Sequence, residues 1–175
     1  MTTGLIHVYT GTGKGKTTAA VGLCNRAIGH GLKTCYVSFN KNPEKYGYNE
    51  IQSLQKLGVD VYHFAKGHPH LNPTIDTDFI CKETKEGLEK VREIIKSKNP
   101  DLLVLDEIII SVRDKFIEES ELIQFINEKP ENLELVLTGR GASPELLKLA
   151  HYVSEINCIA HPYNKGIKSR KGVEF

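Results

Sequence analysis

The sequence predicts an α/β fold in which a mostly parallel sheet of five or six strands carries helices on both faces. Three observations lead there. Short β-branched runs alternate with segments of helical period, the run at Leu102 to Leu105 is apolar at every position, and a glycine-rich loop joins the first run to an alanine-rich helical pattern. Alternation of that kind requires crossover connections, and crossovers make neighbouring strands parallel. A strand without polar alternation is one covered on both faces.

The strand runs in order are LIHVYT at 5–10, TCYVSF at 34–39, DVYHF at 60–64, LLVLDE at 102–107 and LELVLTG at 133–139, and YVSEINCI at 152–159 offers a sixth. Between the third and fourth runs, Leu88, Val91, Ile94 and Ile95 form an apolar stripe ringed by Glu and Lys, and Asn99-Pro100 ends that helix. Ser143-Pro144-Glu145 supplies an N-cap, a proline in the first turn and an acidic residue beside it, so another helix begins there. Two stretches read as loops, 41–49 (KNPEKYGYN) and 65–77 (AKGHPHLNPTIDT), and loops of the second length are often functional.

The 175 residues, 39% hydrophobic, suit one globular domain over 1–175 with one buried core. Lys and Arg number 23 against 22 Asp and Glu, so no broad field attracts nucleic acid or an anionic membrane, and a ligand must be recognised locally. The apolar runs fall well short of the roughly 20 residues that span a bilayer. MTTGLIHVYT has neither the basic segment nor the cleavage site of a signal peptide, which leads to the expectation of a cytoplasmic protein. Cys24, Cys35, Cys81 and Cys158 form no CxxC pair and read as buried or idle thiols.

Chemistry concentrates in Thr10-Gly11-Thr12-Gly13-Lys14-Gly15-Lys16-Thr17-Thr18, a P-loop between strand and helix. Its glycines let successive N–H groups approach phosphate oxygens, and the helix N-terminus adds positive potential. Lys16 supplies a mobile charge, and the Thr17 hydroxyl suits a Mg²⁺ ligand. Thr10 stands where the usual pattern has a glycine, so GxxxxGK[ST] fails by one residue. Asp106-Glu107, ending the fourth run, resembles a Walker B pair. Glu107 is favoured for metal contact and Asp106 for orienting Thr17 or a water, with the reverse assignment open. Arg140, after the fifth run, offers a bidentate grip on phosphate or, equally on its own, a surface ion pair.

Other candidates are weaker in sequence. His68 and His70 flank Pro69, but the proline and the lack of a third ligand argue against a metal pair. Tyr46 and Tyr48 suit packing on a flat substrate, or belong to an ordinary exposed loop. Lys165, Lys168, Arg170 and Lys171 form either a solvated tail or a clamp on an anion. Asn40-Lys41 and Asn164-Lys165 are not followed by the residues of a guanine-specifying NKxD, which argues against a GTPase switch.

A P-loop specifies phosphate binding and leaves the reaction open. The string VYTGTGKGKTTAAVGLCNRAIGHG, then LVLDEI, then TGR, HPYNKG and the closing GVEF, together resemble the P-loop type ATP:corrinoid adenosyltransferases over nearly the whole chain. The resemblance implies that a Co(I) corrinoid attacks the 5' carbon of ATP and triphosphate leaves, with the nucleotide reversed in the loop. It implies nucleotide contacts from Gly11, Thr12, Gly13, Lys14, Gly15, Lys16, Thr17, Thr18, Arg26 and Arg140. It also implies Mg²⁺ (or Mn²⁺) near Thr17, Asp106 and Glu107, an electron donor for Co(I), and a homodimer. Lys16, Thr17 and Glu107 are the expected catalytic residues, with Tyr46, Tyr48, His68 and His70 toward the corrinoid. Three departures stand out: no N-terminal extension precedes the first strand to fold over the site, no Trp occurs in the loop at 65–77, and SFNKNPEKYGYNE replaces the family's usual pattern after the second strand. The competing reading is a P-loop ATPase or small-molecule kinase acting at the γ-phosphate.

Overall fold

The structure is a computed structural model that describes residues 3–42, 47, 49–65, 67–70 and 72–173. Six strands, β1 (Ile6–Thr10), β2 (Thr34–Phe39), β3 (Asp60–Phe64), β4 (Leu102–Asp106), β5 (Glu134–Thr138) and β6 (Tyr152–Glu155), form one sheet in the order β3-β2-β4-β5-β1-β6. Every pairing is parallel, as the alternating runs predict. The helices are α1 (Lys16–Gly29), α2 (Asn49–Lys56), α3 (Thr77–Lys98), α4 (Ile108–Arg113), α5 (Glu119–Asn127) and α6 (Pro144–Leu149), with a 3₁₀ turn at Pro162–Lys165.

The unbroken apolar character of β4 has a direct cause. Leu103 and Leu105 point to one face, where they meet Leu88, Val91 and Ile95 of α3 and Leu122 and Phe125 of α5. Leu102 and Val104 point to the other, against Ala20, Cys24 and Ala27 of α1 and Leu54 of α2. The two central neighbours repeat this division, with Val37 and Leu137 on the first face and Tyr36 and Val136 on the second. Cys24 and Cys35 are buried in these layers, and burial pushes both thiols up to about 12, so they are inert packing groups.

Helix boundaries follow local chemistry. Asp76 caps α3 by accepting from Asp78 N at 3.1 Å, and Asn99 ends it in the left-handed conformation ahead of Pro100. Ser143 Oγ accepts from Leu146 N at 3.1 Å, which starts α6 at the position read from the sequence. The sixth strand is shorter than the apolar run suggested. It stops at Glu155 because the chain then turns onto the P-loop, where Gly13 N donates to Ile156 O at 2.7 Å.

Candidate nucleotide site

Strand β1 delivers the P-loop to the carboxyl edge of the sheet, and β4 and β5 deliver Asp106, Glu107 and Arg140 to the same edge. A cavity of about 460 Å³ opens there, walled by Gly13 to Thr18, Lys41, Glu107 and Arg140. A larger groove of about 880 Å³ lies between α3 and α5, but its charges pair with one another, as in Lys85–Glu121 at 3.4 Å and Arg92–Glu128. The convergent polar groups belong to the smaller cavity, and the site is assigned there.

The loop is tightly held. Gly11 has φ +96, and a Cβ there would lie 2.4 Å from Ile156 O; one on Gly13 would lie 2.9 Å from the Asn157 backbone. These glycines therefore admit the segment after β6 as well as the backbone turn. Thr10 ends β1, and its hydroxyl accepts from Ala142 N at 3.3 Å, which gives the non-glycine position a bond of its own. Lys16 Nζ donates to Gly11 O at 2.9 Å and Gly13 O at 2.7 Å, and burial pulls its pKa down.

The adjacent carboxylates of the β4 end differ sharply. Asp106 is fully buried and accepts from Tyr36 Oη (2.7 Å), Thr138 Oγ1 (2.7 Å), Thr17 Oγ1 (3.1 Å) and Lys41. Burial alone would raise its pKa, but the Lys41 charge and these bonds outweigh burial and hold the carboxyl below its usual range. Asp106 thus fixes the Thr17 hydroxyl and spends its own lone pairs on protein donors. Glu107 lines the cavity, with Oε2 buried and lacking a hydrogen-bond partner. Burial and then the Asp106 charge raise its pKa. Its backbone is left-handed at φ +64, an arrangement that costs a glutamate on the order of 1 kcal/mol or more and is anchored by Glu107 N donating to Thr138 Oγ1 at 3.0 Å. A buried carboxylate oxygen without a donor, in a cavity shared with an oriented hydroxyl, is a donor set that fits Mg²⁺.

Several expected residues lie elsewhere. Gly11 and Thr12 support the loop rather than line the cavity, Thr12 Oγ1 accepting from Cys158 N at 3.3 Å. Arg26 is exposed in the last turn of α1, ten residues and so about 15 Å along the axis from Lys16. It is not brought to the cavity wall. Tyr46 and Tyr48 lie outside the described residues.

His68 and His70 stack, with ring centroids 5.0 Å apart, and a third ligating group absent from their sequence neighbourhood is present in space. Asp114 lies with them in a set whose ligand atoms fall within 4.8 Å. The third ligand that the sequence lacks is therefore supplied by the fold. The bonding nevertheless opposes ligation. His70 N donates to His68 Nδ1 at 3.1 Å, so Nε2 carries the ring proton and donates to Asp114 Oδ2 at 2.7 Å. A protonated nitrogen has no lone pair for a metal, and Arg113 grips both Asp114 oxygens at 2.7 Å. The set ties the loop after β3 to the end of α4.

Two parts of the wall were missed in sequence. Lys41, two residues beyond β2, donates to Thr17 Oγ1 at 3.1 Å and pairs with Asp106. His161, Ser169, Gly172 and Val173 of the C-terminal segment also line the cavity. Lys168 borders an adjoining space of about 190 Å³ with Lys14 and Tyr163, while Lys165 and Lys171 are exposed. The basic run marked this segment, but nothing local to it tells which wall it joins.

Fold and site together define a P-loop nucleotide-binding protein with a Walker B-like carboxylate pair. Among solved structures, a KaiC-like protein from Pyrococcus horikoshii OT3 matches with TM-score 0.58 and 18% identity over 89% of this chain and 72% of its own, a likeness of fold. The chain belongs to the ATP:corrinoid adenosyltransferase BtuR/CobO/CobP family, whose model matches residues 2–175. It is 37% identical to a corrinoid adenosyltransferase from Sinorhizobium sp over 98% of this chain and 80% of the relative. It is 32% identical to one from Escherichia coli K12 over 98% and 86%. Among the described residues no helix is long and apolar enough to cross a membrane.

Proposed function

We propose that this protein transfers the 5'-deoxyadenosyl group of ATP to the Co(I) centre of a corrinoid and releases triphosphate. The observation that carries the reading is the family match over residues 2–175, which takes in both the P-loop and the C-terminal wall of the same cavity.

The chemistry asks little of the protein beyond placement. The cobalt lone pair forms the bond to C5', the C5'–O bond breaks, and its electron pair leaves on the triphosphate. No proton is removed, so charge on the leaving group is what must be stabilised. The N–H groups at the start of α1, with Lys16 and Arg140, bind those oxygens. Mg²⁺, or Mn²⁺, held by Thr17 and Glu107, would neutralise part of the triphosphate charge when bound. Asp106 acts through Thr17, whose hydroxyl it orients. His68 and His70, on the loop that follows β3 at the carboxyl edge, are the described candidates for the corrinoid side. A separate electron donor supplies Co(I), one domain spans 1–175, and the protein works as a homodimer in this reading. The last is supported by the exposed Tyr152 and Val153 on the edge strand β6.

The test is an anaerobic assay with ATP, Mg²⁺ and chemically reduced cobalamin or cobinamide, following the Co(I) spectrum and the phosphate product. Photolabile alkylcobalt with stoichiometric triphosphate is expected. ADP without cobalt alkylation would replace this reading with transfer of the γ-phosphate.

A further inference from the structure

We propose that Lys41 is a ligand of the triphosphate, held ready on Thr17 and Asp106 until the nucleotide arrives; its assignment to the leaving group rests on the adenosyl-transfer reading. Three features of its surroundings argue for this. Its side chain comes from the segment just after β2, lines the cavity together with the P-loop lysine, and is 11% exposed. It donates to Thr17 Oγ1 at 3.1 Å and pairs with Asp106 Oδ2. Asp106 has hydroxyl donors besides, from Thr17, Tyr36 and Thr138, so its oxygens stay bonded when the ammonium shifts.

The Thr17 hydroxyl forces that shift. It has one proton, donated to Asp106, and its lone pairs face Lys41 and the cavity. A divalent cation taking a lone pair of Thr17 would stand within a few ångströms of the ammonium, and like charges at that spacing repel strongly in a site shielded from water. Phosphate oxygens in the same cavity give the ammonium a place to go. Lysine suits this, being a compact charge on a flexible stem that can exchange one oxygen for another without a fixed geometry. The cavity would then present three cations to the phosphate chain, Lys16, Lys41 and Arg140, all of which line it.

The rival role is that of a counterion for Asp106 alone, and three variants separate the two. Inorganic tripolyphosphate binding is measured by calorimetry on the full chain, with Mg²⁺ and without, alongside Tm. Lys41→Met should weaken tripolyphosphate about tenfold or more, the usual effect of losing a charge-assisted bond, whereas Lys41→Arg keeps most of the affinity. Because Lys41→Met leaves a buried carboxylate without its cation, Lys41→Met/Asp106→Asn provides a folded form in which the ion pair is replaced by neutral groups. Here Tm recovers while the affinity stays low. Recovery of affinity together with Tm would overturn the proposal, as would a folded Lys41→Met that binds tripolyphosphate within twofold of the unsubstituted protein. The assay contains no corrinoid. A failure of cobalt alkylation with Lys41-dependent tripolyphosphate binding intact would therefore remove the adenosyl-transfer reading and leave the phosphate ligand standing.

Discussion

The floor of the nucleotide cavity and its C-terminal wall are built on opposite principles. In the floor, Thr17, Tyr36, Lys41, Asp106 and Thr138 come from three strands or their ends and a helix, and their side chains bond one another around a fully buried carboxylate. In the wall, 156–173, most side chains are exposed, and the backbone makes the attachments: Ile156 N to Thr10 O at 2.9 Å, Gly13 N to Ile156 O at 2.7 Å and Cys158 N to Thr12 Oγ1 at 3.3 Å. A floor of this kind is preorganised and intolerant of change in any one member. A wall held by few bonds opens locally at small cost and suits a surface that must admit a nucleotide.

The sharpest way to break the floor is Asp106→Asn. Removing one partner of a buried pair takes from the Lys41 ammonium the carboxylate it pairs with, and a loss of about 3–5 kcal/mol is expected in urea unfolding at pH 7. The pH dependence has a definite sign. Asp106 has a lowered pKa in the folded protein, so its contribution is complete above the unfolded carboxyl value of about 3.9 and disappears as pH falls through the lower folded value. The difference between variant and unsubstituted protein should shrink in that acid window, and a difference that is flat with pH would contradict the ionised floor.

Gly11→Ala attacks the junction of the two regions. A Cβ 2.4 Å from Ile156 O, on a residue at φ +96, should cost about 2–3 kcal/mol and speed amide exchange in 156–173 ahead of the sheet. Equal acceleration in both would mean that the wall is not a separately opening unit.

Glu107→Gln should move stability the other way. The folded pKa of Glu107 is raised, so its ionised form is penalised by folding at every pH above that value, and the penalty fades below the unfolded value of about 4.3. A gain of about 1 kcal/mol at neutral pH, absent at pH 3.5, is expected, together with loss of Mg²⁺-dependent strengthening of ATP binding. A variant less stable at pH 7 would show that Glu107 is not strained by its surroundings. Last, Thr10→Gly restores the strict motif at the cost of the Ala142 bond and backbone freedom; about 1 kcal/mol of stability should be lost in thermal unfolding with ATP affinity unchanged. Tighter ATP binding would show that the motif glycine matters here for the ligand.

The floor was more legible in sequence than the wall, and the reason is the range of its signals. Gly13, Gly15, Lys16 and Thr17 are neighbours whose spacing carries its own geometry, and Asp106-Glu107 ends a strand that its apolar character marks. Tyr36, Lys41 and Thr138 meet Asp106 across 70, 65 and 32 residues, and no periodicity relates such positions. Arg26 carried weight by resemblance alone, and its place in the last turn of α1 follows from helix length, which local pattern does not tie to the cavity. Asp114 joined His68 and His70 for the same long-range reason, from 46 residues away.

The parallel α/β sheet, the phosphate-binding loop, the carboxylate pair and the family are legible in the amino acids, because each rests on residues close in the chain or on a pattern running its whole length. Packing of the folded chain is what commits Asp106 to protein donors while Glu107 lines the cavity, brings Lys41 into the floor, and sets the C-terminal segment along one side. Those outcomes depend on which strands lie side by side, and strand order brings together groups whose separation along the chain gives no sign of their contact.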